Sequence, residues 1–253
     1  MPQPPRRPGR PPKNPPPKGA PRPPATVQAV DRALDMLDAI AAAGAPGLTL
    51  SEVATRAGQP VSTTHRLLSA LAARGMAETD PATQVWHIGP QAFRLGAAFL
   101  RRGGLVERAG PILRRLMQAT SETANLGVRD GDAVLILAQA ETPRPIRALF
   151  PPGSRLPLAA SGMGRALTAW DGGDAPELAE TRNRGFALDR EEVEPGMRCV
   201  AAPVVDADGR AVAAISISGP THRVGPEHLN TLGAAVAEAA RQLSEAMGGQ
   251  PPE

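Results

Sequence analysis

The chain has 253 residues, 42% of them apolar, enough for two compact domains that each bury a core. It carries no apolar run of membrane-spanning length and no hydrophobic leader core, so a soluble, cytoplasmic protein with no membrane partner is expected. A single cysteine excludes an intrachain disulfide, and the four scattered histidines form no zinc-type spacing, so neither metal nor cofactor is expected.

Residues 1–25, MPQPPRRPGRPPKNPPPKGAPRPPA, hold 12 of the 29 prolines and six Lys or Arg with no acidic residue. Such a segment lacks the apolar surface to offset its ordering entropy and is predicted to be a disordered basic tail. Its six cations turn the formal net charge of +3 into −3 for the remainder.

Val27 to Ala43 reads as a helix, with Val30, Ala33, Leu34, Leu37, Ile40 and Ala41 at helical spacing and Gly44 at its end. Thr49 and Glu52 have capping-box spacing, so a second helix starts near Leu50. Gly58-Gln59-Pro60 breaks that helix, and a third restarts at Val61 or Ser62 with Thr64, Leu67, Leu68 and Leu71 along one inward stripe. Its opposite face carries Ser62 and Arg66, flanked by Thr63 and His65, which is the residue chemistry a recognition helix brings to a major groove. Met76–Thr79 and Gln84–Ile88 follow as two short strands joined through Asp80-Pro81-Ala82-Thr83, making a wing. Residues 26–91 therefore read as a winged helix-turn-helix for double-stranded DNA. Its candidate contacts are Gln59, Val61, Ser62, Thr63, His65 and Arg66, with Thr83 and Gln84 on the wing.

Gln91 to about Arg102 reads as a linker helix with Phe93, Ala97 and Leu100 on one side, a stripe that the opposite domain or a second subunit would bury. A dimer would offer two half-sites to an inverted-repeat operator. Gly103-Gly104 marks a hinge. Residues 92–248 then mix helix and strand: a helix over Leu105–Thr120, a hairpin around Asp130-Gly131-Asp132, and a Pro/Gly-rich connection from Pro143 to Pro157. Helices follow over Ser161–Trp170 and Pro176–Arg182, then paired strands over Arg198–Asp206 and Arg210–Ser218, and a last helix over Gly225–Met247. The expected class is α+β, with an α/β effector-binding domain built on a GAF-like antiparallel sheet.

Strand alternation places Ser216 and Ser218 on one face, and pairing through Ala207-Asp208-Gly209 lets Cys199 join them. Gly162 and Met163 open a helix whose free N–H groups suit an anion, so a small organic acid is the expected effector. The competing reading is that the serines satisfy strand-edge hydrogen bonds and Ser161 caps the helix.

The passage Gly185 to Asp206, GFALDREEVEPGMRCVAAPVVD, resembles the signature of the IclR family of bacterial transcription regulators. It matches at Gly185, Asp189, Glu192, Cys199-Val200-Ala201, Val204 and Asp206, and departs at Val205, where an aromatic residue or histidine is preferred. STTHRLLSAL, LAASGMGRAL and AISISGP stand in the order that family requires. The resemblance implies a winged helix-turn-helix joined by a helix to an effector-binding domain, working as a homodimer or tetramer. It also implies that Leu156, Asp189 and Met197 complete the effector site formed by Gly162, Met163, Cys199, Ser216 and Ser218. The sign of the effector's action on DNA affinity is not set by these residues.

An enzyme acting on a small carboxylate is the alternative. Gly162-Met163-Gly164 imitates a dinucleotide fingerprint, but Pro157 interrupts the strand that should precede it; Ser161 is not in a nucleophile elbow; and Glu191 and Glu192, adjacent in sequence, suit a solvated loop better than acid–base work. No residue is assigned a catalytic role.

Overall fold

The computed structural model describes residues 27–101, 104–170 and 175–249. The basic tail over 1–25, the predicted end of the linker helix at Arg102, and Gly103 of the hinge lie outside the described residues. Contacts divide the chain into two compact units that part between Leu95 and Gly96. Among the described residues no helix is long and apolar enough to cross a membrane.

The first unit comprises α1 (Gln28–Ala43), β1 (Leu48–Thr49), α2 (Leu50–Arg56), α3 (Val61–Ala73), β2 (Ala77–Thr79) and β3 (Val85–Ile88). The Thr49–Glu52 capping box forms: Glu52 N donates to Thr49 Oγ1 at 3.4 Å, and Thr49 N donates to Glu52 Oε2 at 2.8 Å. Met36, Leu37, Ile40, Leu48, Val53, Leu68 and Trp86 make the core. On α1 the predicted inward stripe is too wide. Val30 and Leu34 are each 53% exposed, and Met36 takes a core position instead. The wing gains a third strand that the sequence did not announce, in the order β1-β3-β2.

Helix α4 (Pro90–Leu100) crosses the division between the units and contains no fully buried residue. Ala97 and Leu100 are half-buried, whereas Phe93, predicted on the same side, is 77% exposed.

The second unit comprises α5 (Leu105–Thr120), β4 (Thr123–Asp130), β5 (Ala133–Ala140), β6 (Arg155–Pro157), α6 (Gly162–Trp170), α7 (Pro176–Arg184), β7 (Ala187–Arg190), β8 (Met197–Val205), β9 (Ala211–Pro220) and α8 (Leu229–Ala246). Its six strands form one antiparallel sheet in the order β6-β5-β4-β9-β8-β7. Strand alternation divides the side chains between two faces. Leu126, Val200, Ile215 and Ile217 turn to one face and pack with Leu113 and Leu116 of α5 and Val236 and Leu243 of α8. Val134, Ile136, Ala187, Ala201 and Ala214 turn to the other, under Met163, Ala166 and Leu167 of α6. Strand β6 lies inside the stretch predicted as a plain connection, and β7 inside the signature passage. The last helix begins at Leu229 rather than Gly225, after a 3-10 turn over Pro226–His228.

Candidate functional site

In the first unit, α2 and α3 meet through Val53, Ala54, Thr64 and Leu68, all buried, which fixes the outward face of α3. Val61, Ser62, His65 and Arg66 are exposed on that face, and Thr63 is half-buried. Among the described residues, none of Ser62, Thr63, His65 or Arg66 spends its side chain on a hydrogen bond or ion pair. Helix α3 starts behind Pro60 with no side-chain cap, so its first-turn N–H groups remain available to a phosphate. Ser69, exposed one turn further along the helix, donates to His65 O at 2.8 Å.

Gln59 is half-buried in the turn and donates from Nε2 to Ala57 O at 3.3 Å. At the wing, Asp80 Oδ1 accepts from Ala82 N at 2.7 Å and Thr83 N at 3.2 Å, which closes the turn and holds its carboxyl below the ordinary range. Thr83 and Gln84 are exposed at the tip; Gln84 adopts φ 58° and returns its amide to Pro81 O at 3.0 Å.

In the second unit the sheet register assembles two polar rows beneath the N-terminal end of α6. One row crosses four strands as Thr123, Ser218, Cys199 and Asp189. The next crosses five as Gln139, Asn125, Ser216, Ala201 and Ala187. Beyond them Ile136, Gly127 and Ala214 return the face to apolar residues. Thr123, Asn125, Asp189, Ser216 and Ser218 are all buried, so each polar atom needs a partner there. Gln139 Nε2 supplies two bonds, to Asn125 Oδ1 at 2.9 Å and Phe150 O at 3.0 Å.

Gly162 brings the start of α6 directly onto these rows. A Cβ at this position would stand 3.2 Å from Cys199 Sγ and 3.3 Å from Asp189 N. Ser161 caps the helix, accepting from Gly164 N at 3.1 Å, as the competing reading expects of it. The Cys199 thiol lies within reach of the Ser216 and Ser218 hydroxyls and of Met163 N–H, yet burial dominates and pushes it up to about 11. That shift keeps the thiol in its neutral form at physiological pH.

Asp189 is the one acidic member of the rows. Burial, and then a hydrogen bond shared with the Glu192 carboxyl, push it up to about 6. Glu192 N also donates to Asp189 Oδ1 at 2.8 Å. For Glu192, burial acts upward but is outweighed by the hydrogen bonds from Asp189 and Arg165, which hold it down. Arg165 Nη2 reaches Glu192 Oε1 at 2.9 Å, and its Nη1 donates to Leu188 O. The two carboxylates read from sequence as a solvated loop both find partners, in different directions: Glu192 belongs to this network, while Glu191 turns to Arg198 at 3.5 Å.

The structure brings Gly162, Met163, Asp189, Cys199, Ser216 and Ser218 together. Met197 stands on the same face at the end of β8, half-buried and paired with Pro220. Leu156 shares the face too, but on the far strand β6, opposite Val134 and against the apolar cluster. Thr123, Asn125 and Gln139 were missed. The alternation of Thr123 and Asn125 with Ala124 and Leu126 was the available signal, but joining it to Ser216 requires the non-local β4–β9 register. Among the described residues no cluster of three His, Cys, Asp or Glu side chains could hold a metal ion.

Comparison with known proteins gives two family matches: the IclR helix-turn-helix domain over residues 29–81, and the bacterial transcriptional regulator IclR C-terminal domain over 97–177 and 174–245. The chain is 52% identical over 246 residues to the HTH-type transcriptional regulator BhcR of Paracoccus denitrificans, covering 87% of this chain and 88% of that protein. It is 35% identical over 250 residues to the HTH-type transcriptional repressor AllR of Klebsiella pneumoniae, covering 89% and 92%. The fold is shared with an IclR homologue from Microbacterium hydrocarbonoxydans crystallised with 4-hydroxybenzoate, at a TM-score of 0.74, 21% identity, and coverage of 87% and 98%.

Proposed function

The chain belongs to the IclR family of bacterial transcription regulators, and on that premise we propose that it is a repressor whose operator affinity is set by a small organic acid bound in the second unit. Its relatives are named regulators and repressors, so it is a transcription regulator rather than an enzyme on a small carboxylate. The repressor sense follows the AllR proteins. The uncommitted side chains of exposed Ser62 and Arg66 and half-buried Thr63 support direct contact with bases and phosphates, and exposed Thr83 and Gln84 on the wing are further contact candidates. Exposed Phe93, Leu95 and Phe99 on α4 support self-association, and a dimer matches an inverted-repeat operator.

One observation carries the effector reading. On the sheet face that α6 covers with an apolar cluster of Val134, Ile136, Ala187, Ala201 and Ala214, the register concentrates Asn125, Gln139, Ser216, Ser218, Cys199 and Asp189 where that helix begins. Burying so many polar groups costs stability that an apolar face would not, which suits a site kept for a polar ligand. The 4-hydroxybenzoate in the Microbacterium homologue supports an organic acid as the ligand class.

The test is a thermal-shift screen of the full chain against small mono- and dicarboxylates and aromatic acids, 4-hydroxybenzoate included. A hit whose stabilisation disappears in Ser216→Ala/Ser218→Ala is expected. A hit that keeps its affinity in that variant moves the effector elsewhere.

A further inference from the structure

A separate cavity of about 360 Å³ opens at the end of α5, bounded by the start of β4, the β5–β6 connection, the turn after β9 and the first turn of α8. Arg144, His222, Arg223 and His228 line it, against one carboxylate, Glu122. That carboxylate is already neutralised. Glu122 is 2% exposed and accepts from Arg223 through both oxygens, the Nη2 bond being 2.9 Å. Among the described residues, the Arg144 guanidinium and the His222 ring have no hydrogen-bond or ion-pair partner, and His228 has only Glu227 at 3.6 Å. Arg144 therefore brings an uncompensated positive charge to the lining, and the imidazoles add N–H donors beside it. Guanidinium and imidazole donors on three segments that line one cavity suit a tetrahedral oxyanion, and the volume admits a small molecule that bears one.

We propose that this cavity is a second binding site, for a phosphate group, free or carried by a small metabolite. It does not rest on the effector reading, because none of its lining residues belongs to the polar rows. It does adjoin them. Arg223 Nη2 also donates to Ile146 O at 2.7 Å, in the segment whose Phe150 O accepts from Gln139. Glu122 immediately precedes Thr123, the first member of a polar row. An anion that competes for Arg223 thus acts on chain that flanks both sites, giving the regulator a second metabolic input.

The experiment is calorimetric titration of the full chain with inorganic phosphate and, separately, with 3-phosphoglycerate, ionic strength being held constant with chloride. Saturable binding is expected for at least one of them. Phosphate binding as tightly as 3-phosphoglycerate identifies free phosphate as the ligand; a preference for the latter identifies a phosphorylated metabolite. Arg144→Ala and His222→Ala, both at exposed positions, should each weaken binding about tenfold, as loss of one charge-assisted hydrogen bond does. Ser216→Ala/Ser218→Ala should leave it unchanged. No saturable binding to the wild type, or equal affinity in Arg144→Ala and His222→Ala, overturns the proposal. Loss of phosphate binding in the serine variant instead would assign the phosphate to the polar rows and also overturn it.

Discussion

Gly162 and Cys199 stand so close that a methyl group on the glycine would come within 3.2 Å of the thiol sulfur and 3.4 Å of the Cys199 carbonyl oxygen. At Gly162 the helix start therefore meets the Cys199 sulfur and the strand backbone directly. Gly162→Ala is expected to push α6 off the rows, lowering affinity for an organic acid by about tenfold or more. The overpacking itself should cost about 1–2 kcal/mol of stability. Paired calorimetry and thermal melts check this; an alanine variant with unchanged ligand affinity would show that the ligand does not approach this contact.

Arg66 separates DNA contact from folding. It is exposed and unpaired, so Arg66→Ala should leave the melting temperature unchanged while operator binding falls by about 1–3 kcal/mol in a gel-shift titration. Thr49→Ala should do the reverse. Loss of the capping box costs about 1 kcal/mol of stability, and binding follows only as far as the unit unfolds.

How much of this was legible follows from where each signal resides. The Thr49–Glu52 box and the placement of Cys199 with Ser216 and Ser218 depend on neighbouring residues or on one hairpin, and the sequence displays both. Strand β1 is two residues long and β6 three, too short for alternation to register. Val30 and Leu34 have the spacing of core residues, but the small core is filled from Met36, Leu37 and Ile40, a choice that tertiary packing makes. Asn125 and Gln139 join the site only through strand neighbours about ninety residues apart, β4 beside β9, which no local pattern encodes.

Asp189 makes the second unit sensitive to pH. Its proton is held more tightly in the folded chain than in the unfolded one, so it stabilises the fold at low pH. That contribution is lost as pH rises from the ordinary value of 3.8 through about 6. Wild type should therefore lose stability relative to Asp189→Asn between pH 4.5 and pH 7.5, measured as urea midpoints. Parallel profiles for the two proteins would mean that the carboxyl is not held in this environment.

Glu122 and Arg223 form an ion pair with side chains 3% and 16% exposed. Arg223→Ala leaves a buried carboxylate without its cation and should cost about 3 kcal/mol. Replacing both, as Glu122→Leu with Arg223→Met, should recover much of that loss in denaturant melts. A single and a double variant of equal stability would contradict the pairing.

The most direct measurement of the central claim is fluorescence anisotropy of the full chain on a DNA fragment from its own upstream region, with and without an acid found in the thermal-shift screen. The acid should change DNA affinity by about five- to a hundredfold, the range of an ordinary allosteric coupling. In Ser216→Ala/Ser218→Ala the DNA affinity without acid should match wild type and the response should vanish. An acid that binds the second unit yet leaves DNA affinity unchanged, or one that shifts wild type and the serine variant equally, would contradict the account.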